Sequence, residues 1–245
     1  MLNIIGIGLS KEHLTDQIKE LVKDSDVVYL ENYTSVYDIS VKELEKILKK
    51  KIILAERELV ENAIEILEKA KTKNVSLLII GDIFSATTHY SLYLDALKKK
   101  IKVNLVNNVS ILTAVGQTGL FLYKFGKTTS IPFAIENKNI KEPINVLKMN
   151  QKNGLHTLFL LDLNPKENKF LTINQALKYL LEEKVINEDT LAVGCSALCT
   201  KNQEIVSSKV KKLINYKFKS VPQCLIIPGI LHFIEEDGVN LWQLK

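Results

Sequence analysis

Cysteine, proline and tryptophan are scarce: three, five and one among 245 residues. The cysteines, Cys195, Cys199 and Cys224, are odd in number and show no paired spacing. They imply no disulfide framework and fit a reducing, cytoplasmic setting. No apolar run approaches the roughly 20 residues of a membrane span. The start, Met1-Leu2-Asn3-Ile4-Ile5-Gly6, has neither the basic segment nor the cleavage site of a secretory signal. It reads as a strand. Aromatics are only 7 %, and none interleaves with the lysine clusters at Lys49-Lys50-Lys51 and Lys98-Lys99-Lys100. Those clusters read as helix C-termini, where cations suit the dipole, and not as a nucleic-acid face. The net charge of +5 is compatible with an acidic partner without requiring one.

Several chemical signatures are missing as well. Gly6-Ile7-Gly8 begins like a dinucleotide-binding turn, but Lys11 stands where its third glycine belongs and Glu31 is an isolated acid. No P-loop occurs. His13, His89, His156 and His232 are scattered with no metal-ligand spacing, and Cys195 and Cys199 have no second pair, so no metal site is expected. No Gly-x-Ser-x-Gly elbow and no Cys/His couple supports covalent hydrolysis.

What is present is ample material for a core: 46 % hydrophobic and 25 % charged residues, the balance of a soluble globular protein. The stretch Val75 to His89 organises the rest. Val75-Ser76-Leu77-Leu78-Ile79-Ile80 reads as a strand buried on both faces. Gly81 permits a sharp turn, Asp82 places one carboxylate past the strand, and Ser85-Ala86-Thr87-Thr88-His89 opens a helix running to about Lys99. Ligands in open α/β sheets bind beyond the carboxyl ends of strands, so a small-molecule site is expected there. Asp82 is read as a ligand group or as the helix cap.

Before this stretch, strands at Leu2–Gly8, Asp26–Leu30 and Ile52–Ala55 alternate with helices at Thr15–Lys23, Val41–Lys49 and Leu59–Lys71; Asn32–Tyr37 reads as an exposed loop. Val103–Val106 is a fifth strand. This is the βαβ pattern of a mainly parallel sheet. A boundary near 110 separates an N-terminal α/β domain, 1–110, from a C-terminal α/β domain with a mixed sheet, 111–245. In the latter, Ser110–Leu120 reads as a loosened helix and Glu136–Pro143 as a surface connection. Helices are expected at Ile144–Gln151 and Thr172–Glu183, and strands at Thr128–Phe133, His156–Leu161, Thr190–Cys195, Gln223–Ile227 and Ile234–Trp242.

Polar groups at strand ends without an evident acid, base, nucleophile or metal suit one chemistry well. Methyl transfer from a sulfonium has a good leaving group and needs alignment and desolvation more than a reactive side chain. The chain also resembles the diphthine synthases, archaeal methyltransferases of diphthamide biosynthesis, over essentially its whole length. The matching pieces are Ile4-Ile5-Gly6-Ile7-Gly8-Leu9, Tyr33-Thr34-Ser35, Gly81-Asp82 with Ala86-Thr87-Thr88-His89, and Ser110-Ile111. Further on they are Ala114-Val115-Gly116, Thr118-Gly119-Leu120, Tyr123-Lys124-Phe125-Gly126-Lys127, Gly154-Leu155-His156-Thr157-Leu158 and Pro228-Gly229.

The resemblance implies two α/β domains of the tetrapyrrole methylase, or class III methyltransferase, type. It implies S-adenosyl-L-methionine bound in the cleft between them and released as S-adenosyl-L-homocysteine. It further implies a cytoplasmic homodimer acting on a 3-amino-3-carboxypropyl-histidine of translation elongation factor 2, with neither nucleic acid nor membrane as partner. The family's cofactor-lining positions fall on Leu9, Asp82, Ser85, Ser110, Ile111, Leu161, Leu198 and Gln223. No general base is assigned, and His89 and Tyr123 are the candidates. The chain departs from the family in two places. Ile83 replaces the proline of Gly-Asp-Pro, and Ser196-Ala197-Leu198-Cys199-Thr200 replaces Ala-Arg-Ala-Gly-Ser, removing an arginine. A tetrapyrrole methylase of the same fold, a nicotinamide-dependent oxidoreductase and a nucleotide- or RNA-binding module stay open as alternatives.

Overall fold

Aliphatic strands buried on both faces need helices on both sides, and the first half of the chain supplies them. The computed structural model describes residues 1–87, 89–134 and 140–244. In order, the first unit, Met1–Ala114, holds β1 (Leu2–Gly6), α1 (Asp16–Lys23), β2 (Val27–Glu31), α2 (Val41–Leu48) and β3 (Ile53–Ala55). It continues through α3 (Arg57–Asn62), α4 (Ile64–Thr72), β4 (Val75–Ile79), α5 (Tyr90–Lys98), β5 (Val103–Val106) and α6 (Ile111–Ala114). The sheet order is β3-β2-β4-β1-β5 and every pairing is parallel. Alternate residues face opposite layers. Leu2, Ile4, Tyr29, Leu77 and Ile79 pack with Ile66, Leu67, Leu92 and Ala96. Ile5, Val28, Leu30 and Leu78 pack with Ile18, Val22, Leu44 and Leu48. Thr15 caps α1, and Ser40 with Glu43 forms a reciprocal cap on α2.

The second unit, Val115–Lys245, is built on β6 (Thr129–Ile131), α7 (Glu142–Lys152), β7 (Thr157–Leu161), the hairpin strands β8 (Leu163–Asn164) and β9 (Lys169–Phe170), and α8 (Ile173–Glu182). It closes with β10 (Leu191–Ser196), β11 (Glu204–Lys209), α9 (Val210–Leu213), β12 (Gln223–Ile227) and α10 (Phe233–Asn240). Its sheet, β11-β10-β12-β7-β6, is antiparallel except for the β6–β7 pair. Ile173, Leu177 and Leu180 of α8 and Ile144 and Leu147 of α7 share a core with Phe159 and Leu225. Among the described residues no helix is long and apolar enough to cross a membrane.

Four expectations are corrected. The helix expected over Leu59–Lys71 is two helices, because Ala63 adopts a left-handed conformation at φ 55° and interrupts the hydrogen-bond ladder. Neither glycine nor proline marks that break. The helix expected from Ala86 starts only at Tyr90, since Ala86 itself has φ 59° and the preceding residues form turns. Thr88 of that motif, like the first half of the Glu136–Pro143 connection, lies outside the described residues. Asn32–Tyr37 is half-buried: the Tyr37 hydroxyl donates towards the Ile7 and Ser10 carbonyls at 3.1 and 2.9 Å. Finally, Ile234–Trp242 is not a strand. His232 and Glu235 form a reciprocal cap that starts α10, leaving Phe233 and Ile234 exposed and Glu235 wholly buried.

That buried carboxylate ties the second unit's most distinctive sequence runs together. Glu235 Oε1 accepts from the Phe121 N–H and from His156 Nε2, both at 2.8 Å. Its Oε2 accepts from the His232 N–H at 2.8 Å and from Lys124 Nζ. Lys124 also donates to the Ile230 carbonyl, and the Gly229 N–H donates to His156 Nδ1. An accepting Nδ1 places the proton of a neutral imidazole on Nε2. Gly126 leaves room for Asn150, whose Oδ1 would lie 2.1 Å from an added Cβ. Gly119, at φ 90°, lets the backbone of α10 approach: a Cβ there would meet Gly238 Cα at 2.6 Å.

Burial alone raises the Glu235 carboxyl. Hydrogen bonds from Lys124, the His232 and Phe121 N–H groups and His156 outweigh it and bring the group from 4.5 down to about 2. A folded value below the unfolded one contributes stability above pH 4.5 that is lost as the pH falls towards 2. Burial lowers His156 from 6.5, so the unfolded chain also takes up a proton first at that ring as the pH drops, in the same direction. Glu235→Gln, which breaks a buried pair, is expected to cost roughly 3–5 kcal/mol at neutral pH. The variant should also show a shallower stability loss between pH 4.5 and 2. Urea denaturation across that range measures both; equal midpoints at pH 7 would refute this role of the network.

Candidate functional site

Two glycines make the end of β1 and the end of β4 into one surface. Gly8 and Gly81 exchange backbone hydrogen bonds at 3.0 and 2.9 Å, with φ of 69° and 93°. A Cβ on Gly8 would sit 2.4 Å from the His13 side chain, and one on Gly6 would sit 2.7 Å from the Gly81 carbonyl. The Gly-Ile-Gly run is therefore needed for close packing of the chain on itself. Gly81 differs. A Cβ there would meet only Leu9 Cδ2 at 3.8 Å and the Val109 carbonyl at 3.9 Å, so its face is open and bounded by one apolar and one acceptor group.

Asp82 is buried at this junction, 7 % exposed, and holds the surrounding loops. Its Oδ1 accepts from the Phe84 and Ser85 N–H groups, both at 3.1 Å, and from Ser85 Oγ at 2.9 Å. Its Oδ2 accepts from Asn107 Nδ2 at 2.9 Å and the Asn108 N–H at 3.1 Å. The carboxylate caps a turn, not a helix, and clamps it to the segment after β5. Burial raises its pKa, but the donors from Asn107, Phe84, Asn108 and Ser85 prevail, so the group is held below its ordinary 3.8 and stays charged. Asn108 extends the clamp: its Nδ2 donates to the Gly6 carbonyl at 2.9 Å and the His13 carbonyl at 3.1 Å. Ile83, where the resembled family has proline, is completely buried in the core, and Thr87 Oγ1 donates to its carbonyl. Burial and hydrogen bonds hold the turn that a proline ring would otherwise preset.

Five of the candidate residues thus lie in the first unit near the carboxyl edge of its sheet. Leu9 is half-buried beside Gly81. Ser85 Oγ donates to Asp82 and, among the described residues, accepts no hydrogen bond. Ser110 Oγ accepts from the Leu112 N–H at 3.2 Å, leaving its own proton to donate, and Ile111 begins α6. The other three lie in the second unit. Leu161 ends β7, Gln223 starts β12, and Leu198 sits in the turn after β10 between Ala197 and Cys199, both left-handed at φ 45° and 66°. The Gln223 amide is engaged within the unit: Oε1 accepts from the Ile173 N–H at 3.0 Å and Nε2 donates to the Ser220 carbonyl at 3.0 Å. Cys195 stands opposite Cys224 on paired strands, and Cys199 accepts from Gln117. Asn107 and Asn108 were not anticipated from the sequence. Their signal is an amide pair directly after a parallel strand.

Because five donors meet at Asp82, its loss acts first on the fold. Asp82→Ala is expected to destabilise the ligand-free protein by about 1.5–3 kcal/mol, the loss of charge-assisted hydrogen bonds. Guanidinium melts of the two proteins test this, and superimposable curves would refute it.

Residues 1–214 match the family of tetrapyrrole (corrin/porphyrin) methylases. A diphthine synthase of Methanocaldococcus jannaschii is 44 % identical over 251 residues, spanning 98 % of each chain. A diphthine methyl ester synthase of Dictyostelium discoideum is 38 % identical, spanning 100 % of this chain and 99 % of that one. A crystal structure of a diphthine synthase superposes with a TM-score of 0.91 at 31 % identity, covering 99 % of this chain and 95 % of that one. The chain belongs to the tetrapyrrole methylase family, among its diphthine synthases.

Proposed function

We propose that this chain is an S-adenosylmethionine-dependent methyltransferase that methylates the amino group of 3-amino-3-carboxypropyl-histidine on translation elongation factor 2, yielding diphthine. The full-length match to diphthine synthases carries this reading. The chemistry of the first unit's strand edge fits the cofactor. Leu9 and the open face of Gly81 offer apolar and backbone surface, the Val109 carbonyl and Ser85 offer acceptors, and Ser110 offers a donor. Leu161, Leu198 and Gln223 of the second unit are proposed to supply the remaining contacts, Gln223 through its hydrocarbon part. Asp82 acts by fixing the loops that carry Ser85 and Asn108.

The bound sulfonium supplies an activated methyl group. The chain's own work is to align it with the amine and exclude water, which is where the rate gain of a displacement arises. Incubation with S-adenosylmethionine and elongation factor 2 bearing the aminocarboxypropyl group should add successive methyl masses and none to the unmodified factor. Absence of methylation on the modified factor would overturn the proposal. The Dictyostelium relative supports a second reading, in which the substrate carboxylate is methylated. Ester methyls are removed by mild alkali and amine methyls are not, so the same products distinguish the two.

We further propose a homodimer. The second unit exposes Tyr123, Ile230, Phe233 and Ile234, and Phe121 stacks on Tyr123 with ring centroids 5.3 Å apart and meets His232 at 5.7 Å. Exposed apolar groups of this size commonly mark association surfaces. Sedimentation equilibrium should report twice the 27.7 kDa chain mass, and Phe233→Asp should shift it towards the monomer. A monomeric parent protein would refute the dimer.

A further inference from the structure

Glu31 and His89 are buried polar groups to which the structure described so far gives no role. Glu31 closes β2, beside β4 in the sheet, and is fully buried. Its Oε1 accepts from the Tyr33 and Thr34 N–H groups at 2.8 and 2.7 Å, while among the described residues Oε2 accepts only from Thr34 Oγ1 at 2.7 Å. His89 stands at the N-cap position of α5, is 3 % exposed, and among the described residues has no hydrogen-bond partner at either ring nitrogen. The Ile83 carbonyl lies near the ring, but outside hydrogen-bond geometry. The Tyr33 hydroxyl is also buried and unpartnered, beneath the Arg57 guanidinium 5.3 Å from its ring centre. A buried donor or acceptor without a partner costs about 1–3 kcal/mol. Three such atoms around one carboxylate, at the ligand-binding edge of a parallel sheet, describe a site whose polar partner arrives from outside.

We propose that Glu31 and His89 receive the acceptor amine, Glu31 pairing with its ammonium form and His89 taking the proton that must leave it. This rests on the methyltransferase reading above. The ammonium first gives its proton to the imidazole, which passes it to solvent; the freed lone pair then bonds to the methyl carbon as the carbon–sulfur bond breaks with its electrons remaining on sulfur. A primary amine methylated repeatedly must shed a proton at each round, so the base is needed every time. Burial holds His89 below 6.5 despite the nearby Glu31 charge, so its ring is neutral at pH 7 and free to accept. Glu31 is the charged group acting on His89, and Arg57 and Glu61 act on the adjoining Tyr33. Burial and the Glu31 charge keep that phenol protonated, raised to about 12, as a donor for the substrate carboxylate. A negative charge at this position also selects against a carboxylate as the methyl acceptor.

The test is steady-state methylation of aminocarboxypropyl-bearing elongation factor 2 from pH 6 to 9, with S-adenosylhomocysteine affinity by calorimetry. His89→Gln should lower kcat about 100-fold at pH 7, the scale of general-base catalysis. The deficit should shrink towards pH 9 as the amine loses its proton unaided, with cofactor affinity within twofold. Glu31→Gln should raise KM for the protein substrate at least tenfold with the same cofactor affinity. A folded His89→Gln enzyme with kcat within threefold of the parent, or with a deficit equal at every pH, overturns the role of His89. An unchanged KM in folded Glu31→Gln overturns that of Glu31, and serves as the test if His89→Gln does not fold. If the parent enzyme itself leaves this substrate unmethylated, it is the functional reading that fails.

Discussion

The first unit depends on one carboxylate having more donors than a solvent-exposed one would hold. Asp82 collects five hydrogen bonds from the turn after β4 and the segment after β5. Parallel strands end in loops with no ladder of their own, so something must satisfy their backbone groups. Here a buried anion does it, and the mutual Gly8–Gly81 hydrogen bonds bring the end of β1 into the same arrangement. The open surface beside Leu9 and Val109 follows from those constraints, because the loops can neither collapse into it nor swing away.

The second unit solves a similar problem with Glu235. Four donors from the 121–124 turn, His156 and His232 meet there, and nearby glycines admit close neighbours: Gly126 the Asn150 side chain, Gly154 that of Ile230, and Gly229 the Gly154 backbone. The runs Tyr123-Lys124-Phe125-Gly126-Lys127 and Gly154-Leu155-His156 identify the family, yet Lys124, His156 and the glycines serve to build the unit. Tyr123 points clear of it, 80 % exposed. Residues that identify a family by sequence are thus not automatically its reactive groups.

The parallel sheet was legible because its strands are buried on both faces and read as unbroken aliphatic runs; Val103–Val106 and Gln223–Ile227 coincide with observed strands. Caps at Thr15 and Thr172 were legible for a local reason, since each hydroxyl serves an N–H three residues on. What failed was non-local. Ala63 is left-handed without a glycine, and a left-handed Ala86 precedes the late start of α5. The pattern Phe233-Ile234-Glu235-Glu236 was misread because hydropathy puts isoleucine inside and glutamate outside, whereas the partners of Glu235 lie 79 to 114 residues upstream or come from its own cap. At the site, Asp82 was visible as a lone carboxylate after a strand. Its saturation by Asn107 and Asn108 was not, because pairing across β1 to β5 is a property of sheet order.

The seating of α10 has a consequence for anything that meets the second unit. The helix is fixed near its start by a buried carboxylate and near its end by the backbone contact of Gly238 with Gly119. A short helix held in this way has little freedom to rotate or slide. Phe233 and Ile234 are therefore displayed on a surface that is already ordered, and a partner docking there would find backbone positions in place. Association costs conformational entropy in proportion to what must be immobilised. Little of that cost would fall on this helix, so even a contact of modest area could persist.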